Sequence, residues 1–192
     1  MSWYVALVAA VALERVAELV VSRRNMAWSI GRGGREIGAG HYPPMVALHV
    51  GLLVGCVAEV VVADRPFVPA LGWGMVALVL AGQGLRWWCI TALGHQWNTR
   101  VVVVPGAALV RRGPYRWLRH PNYVAVVVEG AALPMVHTAW VTALVFTTLN
   151  AGLLWVRVTV ENTALATLAT TSGQTPQARL HDWRLHDGRP HD

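Results

Sequence analysis

The chain contains no lysine; all 16 of its basic residues are arginine. Charge of either sign is sparse, with 14% charged residues against 55% hydrophobic ones over 192 positions. Soluble domains carry about 25% charged residues, so an ordinary water-soluble fold is excluded. Cysteine is scarce as well. Cys56 and Cys89 both fall inside apolar segments, without metal-ligand spacing, so neither a disulfide framework nor a metal site is expected from them. No His/Asp/Glu set has ligand spacing either, and no metal is expected. The alternation that marks barrel strands is missing. Helices are then the spanning elements, because lipid offers open backbone groups no partner. Gly31-Arg32-Gly33-Gly34 is followed by no Lys-Ser/Thr and preceded by no strand, so it reads as a flexible loop and not as a phosphate cradle. The first apolar segment lacks a basic n-region and is interrupted by Glu14, Arg15 and Glu18. It is expected to be a retained span, not a cleavable signal.

What the chain does have is a series of apolar runs of roughly 20 residues, each about long enough to cross ~30 Å of hydrocarbon. They predict an all-α, polytopic integral membrane protein with about five transmembrane helices, over 3–22, 43–63, 67–90, 121–138 and 139–161. These form one domain over 1–168, followed by a polar tail over 169–192. The net charge of +6 is distributed along the membrane edge. Arg23, Arg24, Arg32 and Arg35 follow the first span; Arg100, Arg111, Arg112, Arg116 and Arg119 lie between the third and fourth; Arg157 and later arginines close the fifth. The other side shows Arg65. The positive-inside rule puts the N-terminus outside and the long connections and C-terminus in the cytosol, and nucleic-acid binding is not expected. The tail carries a five-residue repeat, Arg179-Leu180-His181-Asp182, Arg184-Leu185-His186-Asp187 and Arg189-Pro190-His191-Asp192. That spacing does not align on one helix face, and the tail is expected to be disordered.

The chemistry-bearing residues gather at the inner edge. Pro121 suits the first turn of a helix, which puts His120 and Tyr123 on one face. Arg157 and Glu161, four apart, share a face of the last span. Pro134 and His137-Thr138 mark a tight outer turn, so the last two spans form an antiparallel pair whose inner ends converge. A cytosolic cofactor-binding connection is expected between helices 4 and 5 and in the preceding loop. Within that loop, 101–104 and 107–110 can form short extended pieces that offer backbone groups to a ligand. Glu161 can pair with an ammonium, His120 and Tyr123 can bond a carboxylate or ribose, and Arg157 fits an anionic acceptor because guanidinium orients oxygen pairs rigidly.

Arg119-His120-Pro121-Asn122-Tyr123, followed about one helical hairpin later by Arg157-x-x-x-Glu161, resembles the isoprenylcysteine carboxyl methyltransferase family. The resemblance covers 94–165, with weaker similarity over the first two spans. Within that family the chain is similar to small bacterial members associated with type III polyketide synthases, in which 97–100 and 104–106 have close counterparts. The resemblance implies methyl transfer from S-adenosylmethionine at the cytosolic face of a bacterial inner membrane. It implies a cofactor site of Arg100, Ala107, Ala108, Leu109, Val110, Tyr115, His120, Pro121, Asn122, Tyr123 and Glu161, with Arg157 as the catalytic, substrate-orienting residue. The implied acceptor is the carboxyl or hydroxyl oxygen of a lipophilic small molecule, such as a long-chain alkylpyrone or alkylresorcinol, with no protein partner required. The chain departs from the family at Asn162, where a second glutamate is usual, and at Ala107, where eukaryotic members have histidine. Sterol reductases share a similar Arg-His-Pro-Asn-Tyr string, which leaves an NADPH-dependent reductase as an alternative, alongside a phospholipid N-methyltransferase.

Further polar residues fall inside the spans. Arg15 can pair with Glu18, and Glu14 and Glu18 share a face; they either line a substrate tunnel or form a packing pair. Glu129 either takes a proton from an acceptor or bonds a neighbouring helix. Glu59 lies near the outer end, where it can snorkel. For a hydroxyl acceptor, Glu129, His41 and His95 are the candidate bases, and His49 stands near the start of the second span.

Overall fold

The computed structural model describes residues 1–108 and 110–171, with side chains through 164. Leu109 and the repeat over 179–192 lie outside the described residues. Five α-helices carry most of the described chain: α1 (Ser2–Ile30), α2 (Tyr42–Val62), α3 (Pro69–Leu93), α4 (Pro121–Met135) and α5 (Trp140–Thr171). The expected all-α architecture holds. Two short strands join the long connections: β1 (Arg35–Glu36) pairs antiparallel with β2 (Val102–Val103), Arg35 opposite Val103. α4 packs between α3 and α5, and α2 packs on α5.

Proline sets several boundaries. Pro43 and Pro44 occupy the first turn of α2, Pro69 opens α3 and Pro121 opens α4. There the missing N–H leaves no helical bond unmade. Pro134 stands near the other end of α4, which stops at Met135. The turn into α5 is closed by the Ala139 N–H on the Pro134 carbonyl at 3.0 Å, with Thr138 at φ 54°. Glu59 does not snorkel. Its carboxylate accepts the Val141 and Thr142 N–H groups at 3.2 and 2.7 Å and pairs with Arg65 at 2.9 Å. It therefore caps the N-terminus of α5, where unpaired N–H groups and the helix dipole both favour an anion.

The helices are inside-out relative to a soluble bundle. On α1 the buried positions are Tyr4, Val8, Val11, Glu18, Ser22, Asn25 and Ser29, a stripe of three- and four-residue steps that turns from apolar to polar halfway along. Leu13, Val16 and Val20 on the same helix are exposed. Apolar side chains also cover the outside elsewhere: Val54, Leu80, Leu144 and Trp155 are all exposed. In hydrocarbon that arrangement turns apolar surface to the lipid and keeps the polar groups of α1 away from it.

Among the described residues three helices, not five, are long and apolar enough to cross a membrane by length and composition: Ala39–Val62, Pro69–Gln96 and Trp140–Ala164. The reasons are visible in the other two. α4 has 15 residues, about 22 Å at 1.5 Å per residue, short of the ~30 Å of a bilayer core. α1 is long enough at 29 residues but carries Glu14, Arg15 and Glu18 at its centre.

Chain reversal at each connection sorts the polar segments. The α2–α3 and α4–α5 turns meet the start of α1 at one end, where Trp3 stacks on Trp73 at 5.8 Å and Tyr4 donates to the Leu133 carbonyl at 3.0 Å. The arginine-rich connections meet at the other end through the β1–β2 pair. At Gly130, α4 approaches α5 so closely that a Cβ would lie 2.0 Å from a ring carbon of Phe146, which is itself buried. Gly130→Ala is expected to destabilise the fold by about 1–3 kcal/mol, the usual range for overpacking. Thermal unfolding in detergent checks this; an unchanged midpoint would show that the Phe146 ring moves aside freely.

Candidate active site

The buried polar half of α1 fastens the connection between α3 and α4. Ser22 Oγ lies 2.8 Å from Thr99 Oγ1 and accepts the Thr99 N–H at 3.0 Å. Asn25 Nδ2 donates to the carbonyls of Gly94 and Trp97 at 3.1 and 2.7 Å. Farther along, Arg112 Nε donates to the Ala92 carbonyl at 2.8 Å. Arg100 binds both carboxylate oxygens of Glu36, at 2.8 and 3.0 Å, and lies over the Tyr42 ring at 4.2 Å. That bond to Glu36 raises the Arg100 pKa above its ordinary value.

Held this way, the connection roofs a cavity of about 560 Å³ over the inner ends of α4 and α5. Its walls include Arg100, Val110, Tyr115, His120, Asn122, Tyr123, Arg157 and Glu161, all expected site residues, together with Asn162. Burial raises the Tyr115 phenol well above its usual range, with nearby Cys89 adding to the effect, so this wall offers a protonated donor. Ala107 and Ala108 do not line the cavity. The Ala107 N–H closes a turn on the Val104 carbonyl at 3.2 Å, and the Ala108 carbonyl accepts from Gln96 at 3.3 Å. The strand here forms at Val102–Val103, against β1. Pro121 is buried in the first turn of α4, outside the lining. The link between α4 and α5, where a cofactor connection was expected, lies at the far end of the bundle. The inner ends of these helices build the site instead.

A second cavity, of about 310 Å³, lies beneath the first among α1, α2, α4 and α5. Trp97, Asn122, Tyr123 and Arg157 line both. Val16 of α1 and Val46 and Val50 of α2 line the lower chamber and are also exposed on the outer surface, so the chamber opens sideways between those two helices.

The shared wall carries a compact network. Arg157 Nε donates to the Tyr123 hydroxyl at 2.9 Å. That hydroxyl donates in turn to Glu161 Oε2 in a very short bond. His120 stacks on the Tyr123 ring at 5.2 Å, with Nδ1 3.9 Å from Glu161 Oε1. Arg157 and Glu161 are helical neighbours, yet the phenol stands between them. Arg157 is buried at 7% exposure, and its Nη1 meets the thioether of Met45 at 3.2 Å, a weak acceptor. Among the described residues it forms no ion pair. A buried guanidinium without a carboxylate is costly, and this one faces both chambers.

The charged residues inside α1, α3 and α4 form a box beside the lower chamber. Arg15 reaches Glu18 at 2.8 Å, Glu129 at 3.0 Å and Gln83 at 2.8 Å. Arg86 reaches Glu129 at 2.7 Å and Glu18 at 3.4 Å. Glu14 accepts from Trp87 at the edge of this box. Glu129 thus bonds neighbouring helices, and neither Glu14 nor Glu129 lines a cavity. His95 stacks on Trp28 at 5.3 Å, and His41 lines neither cavity. His49 lines the lower chamber, with Nδ1 held 2.8 Å from the Met45 carbonyl.

Sequence reasoning passed over Arg86, Gln83, Met45, Tyr42 and Glu36. The first had a readable signal, since an arginine inside an apolar run carries the same warrant as Glu129. The others become visible only once the helices are packed.

Residues 75–167 match the isoprenylcysteine carboxyl methyltransferase (ICMT) family. The chain is 38% identical over 160 residues to the uncharacterized protein YpbQ of Bacillus subtilis, covering 83% of this chain and 94% of that one. No solved structure matches. The matched segment contains α4, most of α5 and the connection that roofs the upper cavity. The chain belongs to the isoprenylcysteine carboxyl methyltransferase family, and is a membrane methyltransferase in that general sense.

Proposed function

We propose that the protein transfers a methyl group from S-adenosylmethionine to a carboxyl or hydroxyl oxygen of a lipophilic small molecule at the cytosolic face of a bacterial plasma membrane. The single observation that carries this is Arg157, a buried cation without an acidic partner in the wall between a polar chamber and an apolar one. The polar chamber holds the water-soluble donor; the apolar one holds the acceptor, which arrives from the bilayer between α1 and α2. The N-terminus lies outside and the arginine-rich end inside. α1 and α4 complete five crossings, with their polar groups turned inward.

The upper cavity fits the donor by size and by chemistry. Its volume falls within the ~300–1,000 Å³ of small-molecule sites. Its lining holds buried polar atoms without partners: Asn98 Nδ2 and Oδ1, Asn122 Oδ1 and Trp97 Nε1. Such atoms are rare in finished cores and mark positions that a ligand completes. Glu161 binds the ammonium, and the amide of Asn98 bonds a base edge. When bound, S-adenosylmethionine supplies an activated electrophilic methyl group. Arg157 orients the acceptor oxygen toward the upper chamber through its planar fork of donors. Tyr123 and Asn122 close the wall and exclude water. Bringing two reactants together in line can lower a barrier by ~7–11 kcal/mol, so positioning is the main task. A carboxylate acceptor needs no base. For a hydroxyl acceptor, the Tyr123 oxygen takes the acceptor proton while its own passes to Glu161 Oε2. Glu129, His41 and His95 are absent from the shared wall.

Two outcomes follow. Calorimetry in detergent is expected to show S-adenosylhomocysteine binding, weakened about 10- to 150-fold by Glu161→Ala, the range for a hydrogen bond to a charged group. Binding of NADPH with no response to S-adenosylhomocysteine would falsify the methyl-transfer reading. Arg157→Lys keeps the charge and loses the fork. It is expected to lower kcat/KM about 100-fold toward a lipid acceptor identified by a one-methylene mass difference between cells with and without the gene. Donor affinity should stay within a few-fold, and a comparable loss of donor affinity would place Arg157 in the cofactor site instead.

A further inference from the structure

Arg15, Glu18 and Arg86 line the lower chamber, whose other walls are largely apolar. This wall is an odd choice for a pocket that receives only hydrocarbon. Replacing a buried ion cluster by apolar residues is commonly neutral or stabilising. The box is also incompletely satisfied. Glu18 and Arg86 are both 4% exposed. Glu18 Oε1 and Arg86 Nε face each other at 3.4 Å, and neither has a hydrogen-bond partner. Arg15 Nε is likewise buried and without one. Arg15 also lies 3.8 Å from Glu14 at the edge of the box, so two arginines face three carboxylates and the box has room for a hydrogen bond to a neutral oxygen but no excess positive charge for a second anion.

Resting on the methyl-transfer reading of the same site, we infer that the acceptor is an amphiphile with two polar poles. Its ionisable oxygen meets Arg157, and a second, neutral oxygen, a hydroxyl or carbonyl, bonds the Glu18–Arg86 pair deeper in the chamber. A hydroxyl suits both sides at once, accepting from Arg86 Nε and donating to Glu18 Oε1. At about 310 Å³ the chamber is at the small end for a ligand site. It holds the two-pole head while the rest of the chain passes between α1 and α2. The pair thereby selects acceptors: a site built to bond an oxygen discriminates strongly against the analogue that lacks it.

A molecular ruler tests this. Hexadecanoic acid is compared with a series bearing one hydroxyl at successive carbons, each titrated by calorimetry into the full chain in detergent. One hydroxyl position is expected to bind about 10- to 100-fold tighter than the parent acid, as for a hydrogen bond to a charged group. The advantage should vanish in Glu18→Gln, in Arg86→Met and in the paired variant Glu18→Leu with Arg86→Met, which keeps the Arg15–Glu129 bond. A series with no preferred position overturns the inference, and so does a preference that survives in these variants. If the single variants do not fold, the paired variant decides, and the wild-type series alone can still overturn the inference. S-adenosylhomocysteine is titrated in parallel: loss of its binding in the wild type strikes the methyl-transfer reading, whereas the ruler reads the chamber directly.

Discussion

A charge in hydrocarbon has only one place to go, and that is inward. This constraint organises the molecule. Because the outside must be apolar, the polar half of α1 turns to the interior, and Ser22 and Asn25 become available to hold the α3–α4 connection. Because that connection is held, it roofs a cavity instead of floating in water. The same stripe carries Glu18 into contact with Arg86, so α1 contributes to both chambers without reaching the reacting centre. The hydrophobic effect does little to bring helices together in lipid, and packing with interhelical hydrogen bonds has to do it. Here those bonds are concentrated where the ligand chambers are.

The wall between the chambers is a phenol. Arg157 and Glu161 stand one turn apart on α5 and would ordinarily pair across that turn. Tyr123 is interposed, accepting from Arg157 and donating to Glu161. The consequence is electrostatic. The carboxylate lines the upper chamber alone, where a cationic donor group is expected, whereas the guanidinium reaches both chambers, with its Nη1 on the Met45 thioether of the lower one. A direct ion pair would neutralise both and leave neither chamber with a charge to offer. Asn162, where a second glutamate is usual in the family, fits the same division. It lines the upper cavity as a neutral amide, which leaves Glu161 as the carboxylate of that face.

Much of this was legible in sequence, for a physical reason. Helix periodicity places Arg157 with Glu161 and His120 with Tyr123, and the tight turn after Pro134 forces the two pairs together. Seven of the eleven expected cofactor-site positions line the upper cavity, Arg100, Val110, Tyr115, His120, Asn122, Tyr123 and Glu161; Ala107, Ala108 and Pro121 do not, and Leu109 lies outside the described residues. The misses share a cause. Ala107 and Ala108 sit in a connection without periodicity, where turn closure on Val104 and pairing of 102–103 with β1 decide what faces inward. Of the five expected spans, three qualify by length and apolarity among the described residues; α4 is short and α1 carries three charges at its centre, and a run of apolar letters does not separate these cases. Arg86, an arginine inside an apolar run, was as readable as Arg15 and Glu129.

The charged box shows how stability and function are set against each other. Four helical residues, Arg15, Glu18, Arg86 and Glu129, are drawn from three helices, and each is held by at least two others or by Gln83. A bundle optimised only for stability would fill that volume with leucine and valine, because desolvating four charges costs more than their mutual attraction returns unless every hydrogen bond is made. Here they are not all made: Arg15 Nε, Glu18 Oε1 and Arg86 Nε remain without partners. Three of the unmet bonds fall on residues that line the lower chamber, and a fourth, at Gln83 Nε2, does not; Glu129, also outside the lining, has both its arginines at 3.0 Å or less. Unmet bonds gathered on the chamber-facing residues of a cluster are what selection for binding produces, even though Gln83 shows that the cluster is not fully satisfied elsewhere.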